Sequence, residues 1–519
     1  MAVTDDRKFT KAQVYTILEE AKGKTLGEVD KSRQFDRTIK SEKITGIAGD
    51  VIEQSVFGYE RDSDQECDIE IDGVLTELKT TGVRVPKSDL KNIKGKTGEA
   101  YNVYLGAKEG ISITGVTFEP TIQTNFNTSH FWEKSEHLLI VFYEYKSYEV
   151  VPASGYAQFP IVDYCYNSFS DEEKAKLQND WEIVRDHLQK IYKEYPNAAM
   201  RNEQLIGFTH LLRPNLLLIE LVPGFKRKAS GSYQKPRYRL KQTFVDYIVR
   251  GHFNKSRTNN EIVLKDSFSS FAQLDARCHS LTSQYKGKTL AELKVIFGID
   301  ASAKDIAAKC VIRMFGTDCK RLNQISDFTK VGIIAKTITI TPKGGRTEDM
   351  KLKHIDFEEW ADRDADFEES DVYDYFCEHS FLCPIFCEYD SKDQSKTTFE
   401  GFKRFAFDED FIEHEVRRTW EDSRYLIHNN ELEWEYLYDN HGNKRMNSSG
   451  SYCGAPNFPK SSEYKVFFRG GADVSSEKTR TECVNGIRML PQFFWLKGSY
   501  IAKKITRNSI YLKYAKKKR

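Results

Sequence analysis

Much of this chain is written twice, and that constrains its fold more than any other feature. Lys22-Gly23-Lys24-Thr25-Leu26-Gly27-Glu28 recurs as Lys286-Gly287-Lys288-Thr289-Leu290-Ala291-Glu292. Each copy follows a helical stretch and leads to another that ends in Phe-Gly, at Gly58 and Gly316. The echoes continue in order. Glu77-Leu78-Lys79-Thr80 returns as Ile334-Ala335-Lys336-Thr337, and Val141 to Tyr145 returns as Ile385 to Tyr389. Asp180-Trp181-Glu182 returns as Thr419-Trp420-Glu421, and Tyr238-Arg239-Leu240-Lys241 as Phe494-Trp495-Leu496-Lys497. One match is chance; a series in the same order is a duplicated domain. The boundary falls near Lys265, giving domains 1–265 and 266–519, each of ordinary size. Both halves run helix, helix, hairpin, strands, helix, closing strand. The expected fold class is α/β (mixed α+β), with a central mixed sheet flanked by helices in each half.

Composition sets outer limits. Hydrophobic residues make up 39% and charged residues 30%, enough for real cores. No apolar run reaches the ~18–20 residues that span a bilayer; the stretch from Leu216 to Val222 is broken by Glu220. The charged start lacks the apolar stretch of a signal peptide, so a cytoplasmic protein without membrane contact is expected. Ten scattered cysteines do not suggest a disulfide scaffold. Cys377, Cys383 and Cys387 lie near His379, but the segment reads as a strand whose thiols are core rather than zinc ligands. Net charge is +1 and unevenly spread, with Lys226 to Lys241 basic and Asp356 to Asp374 acidic. A neutral protein of this kind can still carry a basic nucleic-acid groove.

The chemistry concentrates between Asp68 and Lys79. Asp72-Gly73 is a hairpin signal between two alternating runs. Side chains alternate along a strand, so Glu77 and Lys79 share a face. If the hairpin returns Asp68 beside them, two carboxylates and an ammonium meet. Such a group can hold Mg²⁺ while leaving room for water and a phosphate oxygen, and its lysine can orient the water or touch the phosphate. Charges on an exposed hairpin are common, and the pattern alone carries little information. Two further features add to it. Glu53 stands in a largely apolar helical run, and the second copy drops acids selectively. There Asp327 and Lys336 persist, while Ile334 replaces Glu77 and Val311 or Ile312 faces the place of Glu53.

Asp68, Gly73 and Glu77-Leu78-Lys79-Thr80 together resemble the catalytic hairpin of the mismatch-repair endonuclease MutH. They are still more similar to the two-domain MutH-like type II restriction enzymes that cut at GATC. The resemblance extends to Thr128-Ser129-His130 before Lys134, to Asp180-Trp181-Glu182-Ile183 and to Leu240-Lys241. It implies tandem restriction-endonuclease-like domains, an active-site set of Glu53, Asp68, Glu77 and Lys79, and Lys134 as an accessory lysine near the phosphate. The acids among them, Glu53, Asp68 and Glu77, would be the ligands of Mg²⁺, and the second copy would place Glu378 where Lys134 stands. The chain departs from the family in a hairpin two residues longer, in Thr81-Gly82 after the motif, and in the loop from Lys87 to Tyr104.

The basic stretch can neutralise phosphates with Lys226, Arg227, Lys228, Lys235 and Lys241, while Arg237, Tyr238 or Arg239 can reach base edges. Its second-copy counterpart in the closing strand is Lys497. His428-Asn429-Asn430 and Asp439 to Asn443 read as polar loops rather than a His-Asn-His nuclease site. The resulting expectation is a Mg²⁺-dependent double-strand restriction endonuclease with double-stranded DNA as partner, a transient homodimer on DNA, and no obligatory protein partner. A dead second domain would bind effector DNA. The rivals are a mismatch-repair-type nicking enzyme and a non-catalytic DNA-binding regulator.

Overall fold

A computed structural model of the chain describes residues 7–40, 44, 46–60, 66–119, 121–148, 151–226, 233–254, 262–300, 305–346, 348–363, 365–448, 450–472 and 475–507. They form two compact units, one of residues 1–277 with 315–334, the other of residues 278–314 with 335–519.

The repeated Lys-Gly-Lys-Thr-Leu segment folds identically in both units. Gly23 and Gly287 adopt φ of +82° and +79°, a left-handed turn that glycine enters without a Cβ clash. The following threonine starts a helix through a capping box. Thr25 accepts from the Glu28 N–H at 3.2 Å and receives Glu28 on its own N–H at 2.7 Å. Thr289 and Glu292 repeat both bonds at 3.2 and 2.7 Å. The turn then docks on a strand edge. Gly23 N–H donates to Ile161 O (2.8 Å) and Leu26 N–H to Phe159 O (2.9 Å). Gly287 N–H donates to Phe399 O and Leu290 N–H to Thr397 O, both at 2.8 Å.

In the first unit one mixed sheet has the order β1-β2-β3-β6-β7, with β4 added to β3. The strands are β1 (Lys8–Phe9), β2 (Ile69–Ile71), β3 (Val74–Arg84), β4 (Gly106–Ala107), β6 (His137–Glu144) and β7 (Ile161–Ser168). Asp72 and Gly73 sit at φ of +48° and +82°, the left-handed pair that a two-residue hairpin turn requires. The hairpin pairs Ile71 with Val74 and Ile69 with Thr76. β3 and β6 run parallel from Glu77 opposite Leu138 to Val83 opposite Glu144. One sheet face closes over Val14, Leu18, Val51, Ile52, Leu78, Leu139 and Val141. A second, antiparallel sheet orders β5 (Ile111–Gly115), β11 (Arg237–Leu240) and β8 (Ile219–Val222). A hairpin of β9 (Phe225–Lys226) and β10 (Tyr233–Gln234) precedes β11.

The helix Asp171–Glu194 locks this second sheet. Its fully buried Asp180 accepts the N–H groups of Leu217, Leu218 and Ile219 at 2.7–3.1 Å. The aligned donors offset the cost of burying the charge, although burial still raises the carboxyl to about 6.

The second unit repeats the plan. Ile338–Ile340 runs parallel to Ser380–Cys387, which pairs antiparallel with Thr398–Ala406. Met350–His354, Gln492–Leu496 and Val466–Gly470 form the matching three-stranded sheet. Backbone bonds fix the correspondence. Tyr145 N–H donates to Val83 O (2.8 Å) as Glu388 N–H donates to Ile340 O (2.9 Å). The bulge between Phe142 and Tyr143 recurs between Ile385 and Phe386. Glu388 therefore matches Tyr145, one residue from the register suggested by the repeated letters. Hydrogen-bond geometry sets strand register, and similar side chains on neighbouring positions cannot. The alignment keeps Lys336 at the place of Lys79 and Ile334 at the place of Glu77. Likewise Lys241 N–H donates to Leu218 O (2.9 Å) and Lys497 N–H to Lys465 O (2.8 Å). Each unit is thus a mixed α/β sheet structure flanked by helices. Among the described residues no helix is long and apolar enough to cross a membrane. Cys377, Cys383 and Cys387 are buried and joined in no disulfide among the described residues.

Candidate active site

Asp68 immediately precedes β2, and antiparallel pairing brings it across from Glu77 on β3. The Asp68 Oδ2 accepts the Leu78 N–H at 2.8 Å, which fixes the carboxylate beside the strand. Glu77 and Lys79 project from one face, as strand alternation requires. Glu77 is 3% exposed, and each of its oxygens takes a lysine. Lys79 Nζ lies 2.7 Å from Oε1 and Lys134 Nζ 2.8 Å from Oε2. Lys134 follows the short helix His130–Glu133, whose first turn is capped by Ser129 accepting from the Trp132 N–H at 3.1 Å. Its ammonium also donates to the Glu66 carbonyl. The Cys67 thiol donates to Glu133 O at 3.3 Å, tying the start of the hairpin to the same helix.

Glu53 arrives from another direction. The helix Ile47–Val51 widens into a π-turn over Ile52–Phe57 and stops at Gly58 (φ +79°). Such turns break the regular i→i−4 ladder and are frequent at functional sites. Glu53 is partly buried, and its charge reaches both Lys79 and Tyr59.

The electrostatics are those of a crowded, poorly solvated acid cluster. Burial and the neighbouring Glu77 charge push the Asp68 carboxyl up to about 6, against the opposing pull of Lys79, Lys134 and the Leu78 N–H. Burial works against the Lys79 ammonium, but Glu77, Asp68 and Glu53 outweigh it and hold the group charged, above its ordinary value. Burial and the adjacent Lys134 lower His130. Among the described residues no three His, Cys, Asp or Glu side chains stand close enough to share a metal ion. The acids gathered at the hairpin are the pair Asp68 and Glu77, with Glu53 acting through space.

A cavity of about 490 Å³ adjoins Lys134, lined by Ser129, His130, Thr114, Thr124, Trp181 and Lys235 among others. Of the basic segment, Lys235 and Arg237 are exposed. Arg239 is paired with Glu220, Nε to Oε1 at 2.6 Å. Lys226 lies in β9, and Arg227 and Lys228 fall outside the described residues. Tyr238 and Lys241, expected to reach DNA, are interior. Tyr238 is 2% exposed and packs on Phe131 at 4.8 Å between ring centres. It occupies the inward alternate of β11, between the outward Arg237 and Arg239. Lys241 is 3% exposed and donates to Leu216 O at 2.7 Å, drawn under the sheet by the Asp180 carboxylate.

The second copy of the repeat corrects two further readings and narrows a third. Asp327 does not stand beside Lys336: its carboxylate takes the Leu264 N–H (2.8 Å) and the Ser267 hydroxyl (3.0 Å), within the first unit. It belongs to the helix Ser326–Lys330, which stands where the repeat would have a hairpin. The shared left-handed glycines Gly58 and Gly316 make Val311, fully buried, the counterpart of Glu53. Counted from the shared serine cap, where Ser370 accepts from Tyr373 N–H at 3.1 Å as Ser129 does from Trp132, the place of Lys134 is Tyr375 rather than Glu378. Lys497 is partly exposed at the end of its strand. The roles of the Glu66 carbonyl and of Asp180 had no signal in the sequence, because a backbone acceptor and a buried cap have no residue pattern of their own.

Residues 57–180 match the family model described as MutH, the DNA mismatch repair enzyme. That span contains Asp68, Glu77, Lys79 and Lys134. The chain is also 25% identical over 429 residues to the type II restriction enzyme Sau3AI of Staphylococcus aureus, covering 80% of this chain and 79% of that enzyme. A MutH model thus matches the part of the chain that holds Asp68, Glu77, Lys79 and Lys134, and the chain is similar over most of its length to a type II restriction enzyme.

Proposed function

We propose that this protein is a type II restriction endonuclease that hydrolyses both strands of duplex DNA at a short palindrome, GATC, with Mg²⁺. The observation that carries the reading is the arrangement around Glu77. A buried carboxylate faces a second one whose ionisation its own charge opposes, and two lysines occupy its oxygens. An all-oxygen cluster of three carboxylates, Asp68, Glu77 and Glu53, against two lysines suits a hard divalent cation with water completing its shell. Asp68 and Glu77 would hold it, with Glu53 adding negative charge from the π-turn. When bound, the cation supplies charge neutralisation at the attacked phosphate and acidifies a water.

The chain's own residues do the rest. Lys79, held as an ammonium, donates to a phosphate oxygen and orients the attacking water rather than taking its proton. Lys134 steadies Glu77 and adds a second cation near the phosphate. Lys235 and Arg237 are exposed and available to DNA phosphates or base edges. Lys226, Arg227 and Lys228 extend that basic segment.

One such site cuts one strand, so double-strand cleavage of a palindrome calls for two chains paired transiently on DNA. The second domain, near 266–519, binds a further copy of the site and favours pairing. A supercoiled plasmid incubated with Mg²⁺ tests the reading. Linear product with ends mapping to GATC supports it, nicked circles alone indicate a nicking enzyme, and uncut plasmid removes the catalytic assignment.

A further inference from the structure

In the second copy of the repeat the place of Glu77 is taken by Ile334, yet the lysine of the pair remains, in the second unit. Lys336, just past the strand Ile333–Ala335, thus has no carboxylate two residues before it to face. Its backbone N–H donates to Leu382 O at 3.0 Å, which sets the side chain beside Cys383. Two other cations act on Lys336 or on the thiol beside it. Arg346, in the loop before the strand Met350–His354, interacts with the same Cys383, and Lys351 on that strand acts directly on Lys336. Arg346 spends its Nε on the Glu348 carbonyl, while its buried Nη1 has no hydrogen-bond partner among the described residues. The Lys351 ammonium rests 3.4 Å from the centre of the Phe493 ring.

The acids near this cluster are engaged or outside it. Asp349 accepts Arg469 at 2.8 Å and the Gly498 N–H at 2.9 Å, and Glu348 is exposed. Burial lowers Lys336, with Lys351 adding repulsion, and burial lowers Arg346 despite Glu348 and Asp349. Half-buried cations near one another, with a guanidinium nitrogen that has no partner among the described residues, are unfavourable unless an anion completes them. The catalytic position of the first unit sets its acids against Lys79 and Lys134. Its counterpart keeps the lysine and adds further cations in place of the acids.

We propose that this vestigial catalytic position binds a phosphate of the duplex DNA backbone directly, without a metal ion, through Lys336, Arg346 and Lys351. The inference rests on the DNA-cleaving reading above and gives the second unit's DNA contact a location and a chemistry. Loss of the metal-binding acids is then a conversion: the same strand position changes from cutting a phosphodiester to holding one.

The test is titration of the full chain in EDTA with a fluorescent duplex containing the target sequence, at several salt concentrations. Wild type is expected to bind two duplexes per chain. Lys336→Gln combined with Arg346→Gln should weaken the second event about 10-fold and reduce its salt slope by about one for each phosphate contact removed. Lys336→Arg should retain binding, and it keeps the test available if the double variant folds poorly. Unchanged stoichiometry and salt slope in a double variant with wild-type melting behaviour would overturn the inference. So would stabilisation of wild type by inorganic phosphate that duplex DNA does not displace, which would assign the recess to the free anion. A wild-type chain that fails to cut DNA with Mg²⁺ overturns the nuclease reading itself, whereas cutting with no effect of the double variant defeats this inference alone.

Discussion

Lys134→Met separates the structural and chemical roles of the active-site lysines. Lys134 and Glu77 are 7% and 3% exposed, and their 2.8 Å contact is one of two that neutralise Glu77. Removing one partner of a buried pair typically costs about 3–5 kcal/mol, because the other charge is left uncompensated. Here Lys79 remains on Oε1, and methionine fills most of the volume, so the expected loss is nearer 2 kcal/mol in EDTA. A divalent cation at Asp68 and Glu77 supplies the missing charge. Mg²⁺ should therefore stabilise the variant more than wild type, in which Lys134 competes for the same carboxylate. Urea unfolding of both proteins, with EDTA and with Mg²⁺, reads the two quantities, taken on the transition of the first unit. Cleavage by the variant should fall even where Mg²⁺ restores its stability, since the ammonium near the phosphate is gone. A variant as stable as wild type in EDTA, or one that gains no more from Mg²⁺ than wild type does, would refute the charge argument.

Glu77→Ala and Asp68→Ala should each abolish Mg²⁺-dependent cleavage while leaving duplex binding nearly intact; near-normal cutting by either variant in a plasmid assay would remove the site assignment. Asp163 joins Lys22 (2.9 Å) to His252 (3.1 Å), and although burial opposes ionisation, the His252 and Lys22 bonds and the Tyr164 N–H lower it to about 2. A depressed carboxyl contributes stability above its unfolded value near 4 and loses it as pH falls through 2. Asp163→Asn should thus cost about 1–2 kcal/mol at pH 7, and urea melts should show the difference shrinking from pH 4 downwards. If the second domain binds effector DNA, a two-site plasmid should be cut faster than a one-site plasmid, and an uncleavable oligonucleotide bearing the site should stimulate the latter; equal rates throughout would leave the second unit a scaffold.

The repeated glycine turn and the tight hairpin could be read in the sequence because they depend on local rules. A Lys-Gly-Lys-Thr-Leu-x-Glu segment encodes a left-handed glycine and a capping box wherever it occurs, and Asp72-Gly73 encodes a tight hairpin. The pairing of Asp68 with Glu77 and Lys79 followed from the same hairpin and from strand alternation, which spacing alone fixes. Lys134 was different. It is 57 residues from the carboxylate it touches, and only the family resemblance pointed to it before folding brought the helix His130–Glu133 against β3. The basic segment shows the limit most clearly. Its composition announces a cationic surface, yet the tertiary structure turns Tyr238 inward as an alternate of β11 and draws Lys241 toward a buried aspartate 61 positions earlier in the chain. Asp327 was misplaced for the same reason, since the helix that replaces the hairpin turns its carboxylate to Leu264 and Ser267. Charge and spacing are properties of the sequence, but which side of a sheet a charge occupies is set by the partner on the next element. Lys336 and Arg346 come to act on one thiol only once their segments are packed beside the strand that carries Cys383.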